Sequence, residues 1–79
     1  MAFRICIWSD EIIDHLAQHG VAPDDFEAVL AEPEEELLSH SSGLPAVIGE
    51  AQDGRRLFCV YEAIDETYVL PVTAYEIGE

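Results

Sequence analysis

Two arginines stand side by side in "DGRRLFCVY", residues 53 to 61, in a chain with no lysine and one other arginine, Arg4. A guanidinium fork donates two parallel hydrogen bonds and so matches phosphate or carboxylate. Arg55 and Arg56 are therefore the first candidates for chemistry. A short turn after Ala63 is expected to bring Arg55 opposite about Ala74 and Arg56 opposite about Thr73, within one residue. Either arginine then reaches Tyr75 or Glu76. An Arg–Tyr pair there grips a phosphate or a partner's carboxylate. The plainer alternative is an exposed Arg–Glu pair, worth at most about 1 kcal/mol, for which Asp53, Glu62 and Glu76 offer partners. Strand alternation sends Arg55 and Arg56 to opposite faces unless a bulge intervenes.

The histidines give a second constellation. Glu11, His15 and His19 form an i, i+4, i+8 row, and two histidines at i, i+4 can share a metal. No HExxH pattern or cysteine cluster accompanies them. A helical wheel sets His19 beside Ile12 and Leu16, where an imidazole packs or caps, so neither metal nor cofactor is assigned. Ser39, Ser41 and Ser42 flank His40, but sequence neighbours do not meet in triad geometry. A G-x-S-x-G elbow and a glycine-rich phosphate loop are both absent from the sequence.

Around these residues the totals set limits. Seventy-nine residues make one domain, and a domain this small buries only about 60% of its unfolded surface. Pairing as a homodimer is one source of added stability. Cys6 and Cys59 lie in apolar runs and read as packed free thiols of a reducing, cytoplasmic compartment. The N-terminus lacks a signal-peptide core, and no apolar run approaches the roughly 18 residues of a membrane span. The expectation is a soluble protein with no membrane role. Seventeen acids against three arginines give a formal net charge of −14. Such a field repels nucleic-acid phosphate and anionic membranes and attracts basic proteins. "EPEEE" (32–36) is a solvated loop or a hold for a basic segment.

The elements that position these residues follow from pattern. "FRICIW" (3–8) reads as a strand, with Trp8 a core anchor whose indole is hydrogen-bonded. Ser9 caps a helix over about 10–19 that stops at Gly20. A second helix runs from near Pro23 to Pro33 and buries Phe26, Val29 and Leu30. "EELLSH" (35–40) is a further strand candidate. "AVIGEAQ" (46–52) and "RRLFCVYEA" (55–63) flank Asp53-Gly54, a two-residue hairpin signal. That turn sets Gly49 opposite Phe58, Ile48 opposite Cys59 and Ala46 opposite Tyr61. "TYVLPVTAY" (67–75) returns with Tyr68 opposite Tyr61, and Pro71 marks an edge or a bulge. The predicted fold is α+β: β-α-α-β-β-β, an antiparallel sheet packed on two N-terminal helices.

With these elements in order, "WSDE…HLAQHGV" (8–21), the acidic second helix, "VIG" and "GRRLFCVY" (54–61) resemble the BrnT-like toxins of the RelE/ParE superfamily. The resemblance implies a curved sheet, RNA cleavage and pairing with a cognate antitoxin. On that reading Arg55, Arg56 and Tyr75 handle the phosphate, and His19 is an acid/base or RNA-contact residue. Two positions where such toxins commonly carry cations read Gln18 and Glu76 here. A carboxylate where a cation is expected opposes phosphate binding. Two functions are therefore expected in turn: a toxin-like endoribonuclease, and a non-catalytic acidic module that binds the antitoxin or another basic protein.

Overall fold

Residues 4–40 and 43–78 are described by a computed structural model of the chain. β1 (Ile5–Cys6) leads into α1 (Asp10–Gln18) and α2 (Pro23–Ala31), followed by β2 (Glu35–Leu38), β3 (Pro45–Glu50), β4 (Arg56–Ala63) and β5 (Tyr68–Glu76). α1 begins where Ser9 Oγ accepts the Ile12 N–H at 3.3 Å, with Asp10 and Glu11 at the positive end of the helix dipole. It ends at Gly20, whose φ of +75° is the left-handed conformation of a helix stop. Pro23 opens α2, where a missing N–H costs nothing. Asp25 Oδ2 reaches back to the Ala22 N–H at 3.1 Å.

The strands form one mixed sheet in the order β1-β5-β4-β3-β2. The α+β class holds, but the wholly antiparallel sheet is corrected at one edge. β1 runs parallel to β5, with Ile5 opposite Tyr68 and Cys6 opposite Val69. Hairpin turns force antiparallel pairing between sequence neighbours, whereas β1 and β5 are joined by the whole intervening chain and carry no such constraint. β2 adds a strand, so the order is β-α-α-β-β-β-β. It forms the opposite edge and carries exposed Glu35 and Glu36. Like charges along that edge oppose pairing with a second copy there.

Two registers differ from expectation, each for a countable reason. Glu50 pairs with Arg56, and the Ala51 N–H donates to the Arg55 carbonyl at 2.8 Å. The loop is therefore Gln52-Asp53-Gly54, closed by Gly54 at φ +92°. A three-residue loop ending on a left-handed glycine is a common hairpin. Its extra residue slides the ladder by one, so Ile48 faces Phe58, Gly49 faces Leu57 and Ala46 faces Val60. In the next hairpin Ala63 pairs with Val69, and a bulge shifts the ladder between Val60 (opposite Thr73) and Tyr61 (opposite Pro71). Tyr61 thus does not face Tyr68. The longer turn and the extra Val72 carry Arg56 to Ile77, whose N–H it accepts at 3.0 Å, and not to Thr73. Pro71 marks the bulge, as its sequence position implies. Val69 accepts the Ile7 N–H at 2.9 Å, so two residues on the proline nitrogen turns to the same side, past the end of β1.

Both helices pack on one sheet face. Leu16, Val21, Phe26, Val29 and Leu30 meet Val47, Leu57, Cys59, Val69 and Ala74 in one core. Trp8 sits edge-on to Phe26 at 5.6 Å and donates its indole N–H to Glu27 Oε2 at 2.8 Å. Cys6 and Cys59 are free. Burial pushes their thiols up to about 11 and about 12, so near neutral pH both are protonated and poor nucleophiles.

Gly49 is where α2 and the sheet come closest. A Cβ there meets Val29 Cγ1 at 3.1 Å, the Glu32 carbonyl oxygen at 3.4 Å and Pro33 Cα at 3.5 Å. Val29 is fully buried and the other two contacts are backbone, so none yields cheaply. Gly49→Ala is expected to destabilise the fold by about 1–3 kcal/mol through overpacking. Urea unfolding checks this, and a variant as stable as the parent removes the close-approach argument.

Candidate interaction site

The three guanidinium groups are the place to look for a phosphate site, and each has a different environment. Arg55 sits at the hairpin loop. Its backbone N–H and Nε donate to the two carboxylate oxygens of Asp53 at 3.2 and 2.7 Å. Nη1 donates to the Gly20 carbonyl at 2.8 Å and Nη2 to Asp25 Oδ2 at 3.0 Å. One side chain thereby joins the β3–β4 loop to the turn between the helices and to the start of α2. The arrangement is partly shielded, the Arg55 and Asp25 side chains being 27% and 15% exposed. Hydrogen bonding to Asp53 raises the Arg55 pKa. The Arg55 N–H, first among several contacts, lowers that of Asp53.

Arg56 points the other way. Its Nη2 lies 3.1 Å from Glu34 Oε1, with both side chains about half exposed. Such a surface pair is worth little, about 0–1 kcal/mol. Arg4 is at the far end of the molecule, where Nη1 donates to the Tyr61 hydroxyl at 2.6 Å and the guanidinium lies 5.4 Å from that ring's centroid. The chain's cations do not gather in one hollow.

The other candidate residues divide in the same way. Tyr75 is exposed and stacks on Phe58 at 5.3 Å and 26°. His19 is exposed and meets His15 edge-on at 5.2 Å. His15 Nε2 lies 3.1 Å from Thr73 Oγ1. Gly20, the residue after His19, is the one Arg55 holds. Arg55 and His19 are therefore neighbours through the α1–α2 turn, while Arg56 and Tyr75 belong to another face. Among the described residues no group of three or more His, Cys, Asp or Glu can hold a metal ion. No helix among them is long and apolar enough to cross a membrane.

That other face is the open side of the sheet. Gly49 touches α2, so its strand neighbours Ile48 and Glu50 face away. The registers then align Glu35, Ile48, Phe58 and Tyr75 in one row across four strands. The next row on one side is Leu37, Ala46 and Val60, with Thr73 at its β5 end, where the hydroxyl meets His15 of α1, and on the other Glu50 and Arg56. Ala46 and Val60 are buried although they lie outside the helix-facing core. The face has an apolar and aromatic centre, with Glu35, Glu50 and Glu62 around it. Sequence reading found Tyr75 and Arg56 but missed Phe58 and Ile48, because the two-residue turn assigned them other partners.

Carboxylate chemistry at the loops makes a pH test available. Asp53 is lowered from 3.8 by bonds from Arg55, and Asp65 is lowered from 3.8 by the backbone N–H groups of Tyr68 and Thr67. A lowered folded-state pKa adds stability above the unfolded value, and that stability is lost as pH falls through the folded value. The gap in stability between the parent and Asp53→Asn, or Asp65→Asn, is therefore expected to hold from pH 7 to pH 5 and to close below about 3.8. Denaturant titrations across that range check it, and a gap that persists unchanged into strong acid contradicts it. No known family model, curated protein or solved structure matches this chain, so its functional reading rests on the geometry above.

Proposed function

We propose that the chain is a non-catalytic, acidic protein-binding module that docks a basic, amphipathic segment of a partner on the open sheet face. The carrying observation is the distribution of charge. Arg55 and Arg56 are each engaged by carboxylates, and Arg4 lies apart from both. The formal net charge of −14 sets the field. A polyanion entering the open face meets Glu35, Glu50 and Glu62. A cationic partner meets the same groups as attraction, and its apolar side finds Ile48, Phe58 and Tyr75. Aromatic side chains inside a polar rim are the usual anchors of such contacts. The likeness to BrnT-like toxins makes a basic antitoxin the natural form of that partner.

One observation favours a second reading, a toxin-like endoribonuclease. Arg56 and Tyr75 do share the open face, in adjacent rows. For that reading Arg56 must leave Glu34 when RNA arrives. Incubation with RNA separates the two: cleavage by the parent chain that disappears in Arg56→Ala supports the nuclease.

A synthetic amphipathic helix of lysine and leucine is a suitable probe of the binding module. Its affinity is expected to fall steeply with salt and to drop about tenfold or more when Phe58→Ala and Tyr75→Ala are combined. Glu35→Lys with Glu62→Lys should weaken it further. Asp10→Lys with Asp14→Lys makes the same charge change on α1 and should weaken it much less. Equal losses from the two charge-reversal pairs reduce the effect to overall charge and remove the docking face.

A further inference from the structure

At the end of the sheet where β1, β4 and β5 meet lies a groove of about 690 Å³, well within the size of small-molecule sites. Arg4 and Tyr61 form one wall, Ala63 and Val69 belong to the apolar lining, and Asp65 and Glu66 stand among its remaining residues. Among the described residues Arg4 is the one arginine with no carboxylate within ion-pair distance, in a chain with seventeen acids. Two acids line the same groove and neither closes on it. Its guanidinium is positioned by a neutral group instead, the hydroxyl of Tyr61, a residue only 6% exposed. A guanidinium has five N–H donors. The Tyr61 bond uses one, and the guanidinium carbon lies 5.4 Å from the centroid of that ring.

We propose that this groove binds a zwitterionic α-amino acid, its carboxylate on Arg4 and its ammonium group towards Glu66 and Asp65. Asp65 Oδ1 is occupied by the Thr67 and Tyr68 N–H groups, which leaves its second oxygen for a cation. A bidentate carboxylate matches the guanidinium fork. A phosphate dianion fits poorly because two carboxylates share the space. The ammonium group offsets the unfavourable field that any anion meets here, and Ala63 and Val69 leave room for a small apolar side chain. This site lies apart from the open-face aromatic row and does not depend on the reading proposed for that face.

Titrating the isotope-labelled protein with glycine, alanine, N-acetylglycine, methylammonium and inorganic phosphate tests it by NMR. Glycine and alanine are expected to give saturable shifts at the Thr67 and Val69 amides and at the Arg4 Nε–H. N-acetylglycine should bind several-fold more weakly, and methylammonium and phosphate weaker still. Arg4→Gln should reduce glycine affinity by about tenfold or more, and Tyr61→Phe, which keeps the ring, should reduce it less. Absence of saturable shifts with glycine overturns the proposal, as do unchanged shifts in a folded Arg4→Gln protein. Equal binding of glycine and N-acetylglycine replaces the zwitterion with a plain carboxylate, such as a peptide C-terminus. Tighter binding of phosphate overturns the assignment of the ligand class.

Discussion

Arg55 ties the two halves of the chain together, and the remaining surfaces take their places from that tie. Its contacts reach thirty and thirty-five residues back, to Asp25 and Gly20, while its own loop is held through Asp53. The turn between the helices is thereby fixed against the β3–β4 loop. With α2 held there, Gly49 admits the helix to the sheet and Val29 fills the contact. One sheet face is then covered and the other is left open. The same four hydrogen bonds answer why scarce positive charge sits beside an Asp-Gly turn. They explain Arg55 as a structural group.

The sequence carried the local information well and the long-range information poorly. Ser9, Gly20 and Pro23 each act within one helical turn, so the helix limits could be read from single residues. The strand candidates were also correct in kind, including the short β2. Register was different, because it depends on a count. Asp53-Gly54 fits either a two-residue turn or the end of a three-residue loop, and one residue separates a Gly49–Phe58 pair from the observed Gly49–Leu57 pair. The Val60–Tyr61 bulge added a second uncounted residue. Pro71 signalled that bulge without saying which strand absorbs it. The parallel pairing of β1 had no local signal, since nothing in Ile5 or Cys6 states which distant strand they will join.

The candidate site shows the same division. Alternation alone placed Arg55 and Arg56 on opposite sides, and that much was legible. Asp53, one of the acids that sequence offered as a partner, does hold Arg55, but the other two carboxylates the arginines meet were not legible. Asp25 and Glu34 come from α2 and the segment after it, and only tertiary packing brings them in. Tyr61 was read as a cross-strand partner of Tyr68, whereas it supports Arg4. A buried tyrosine needs something for its hydroxyl. That requirement was visible in the sequence, but its partner, fifty-seven residues away, was not.

The charge that dominates the composition now has a spatial meaning. In a small domain, self-repulsion of surplus carboxylates works against the compact state. Three arginines cannot neutralise seventeen acids, so most of the repulsion remains when the chain is folded. A ligand that brings positive charge to the folded surface removes part of that repulsion as it binds, and so stabilises the fold by mass action. A nucleic-acid ligand does the reverse, adding negative charge to a surface already short of cations. The energetics of folding and of recognition therefore point the same way. Each favours a cationic partner over a phosphate polymer, and the open face offers the apolar anchors that charge alone does not supply.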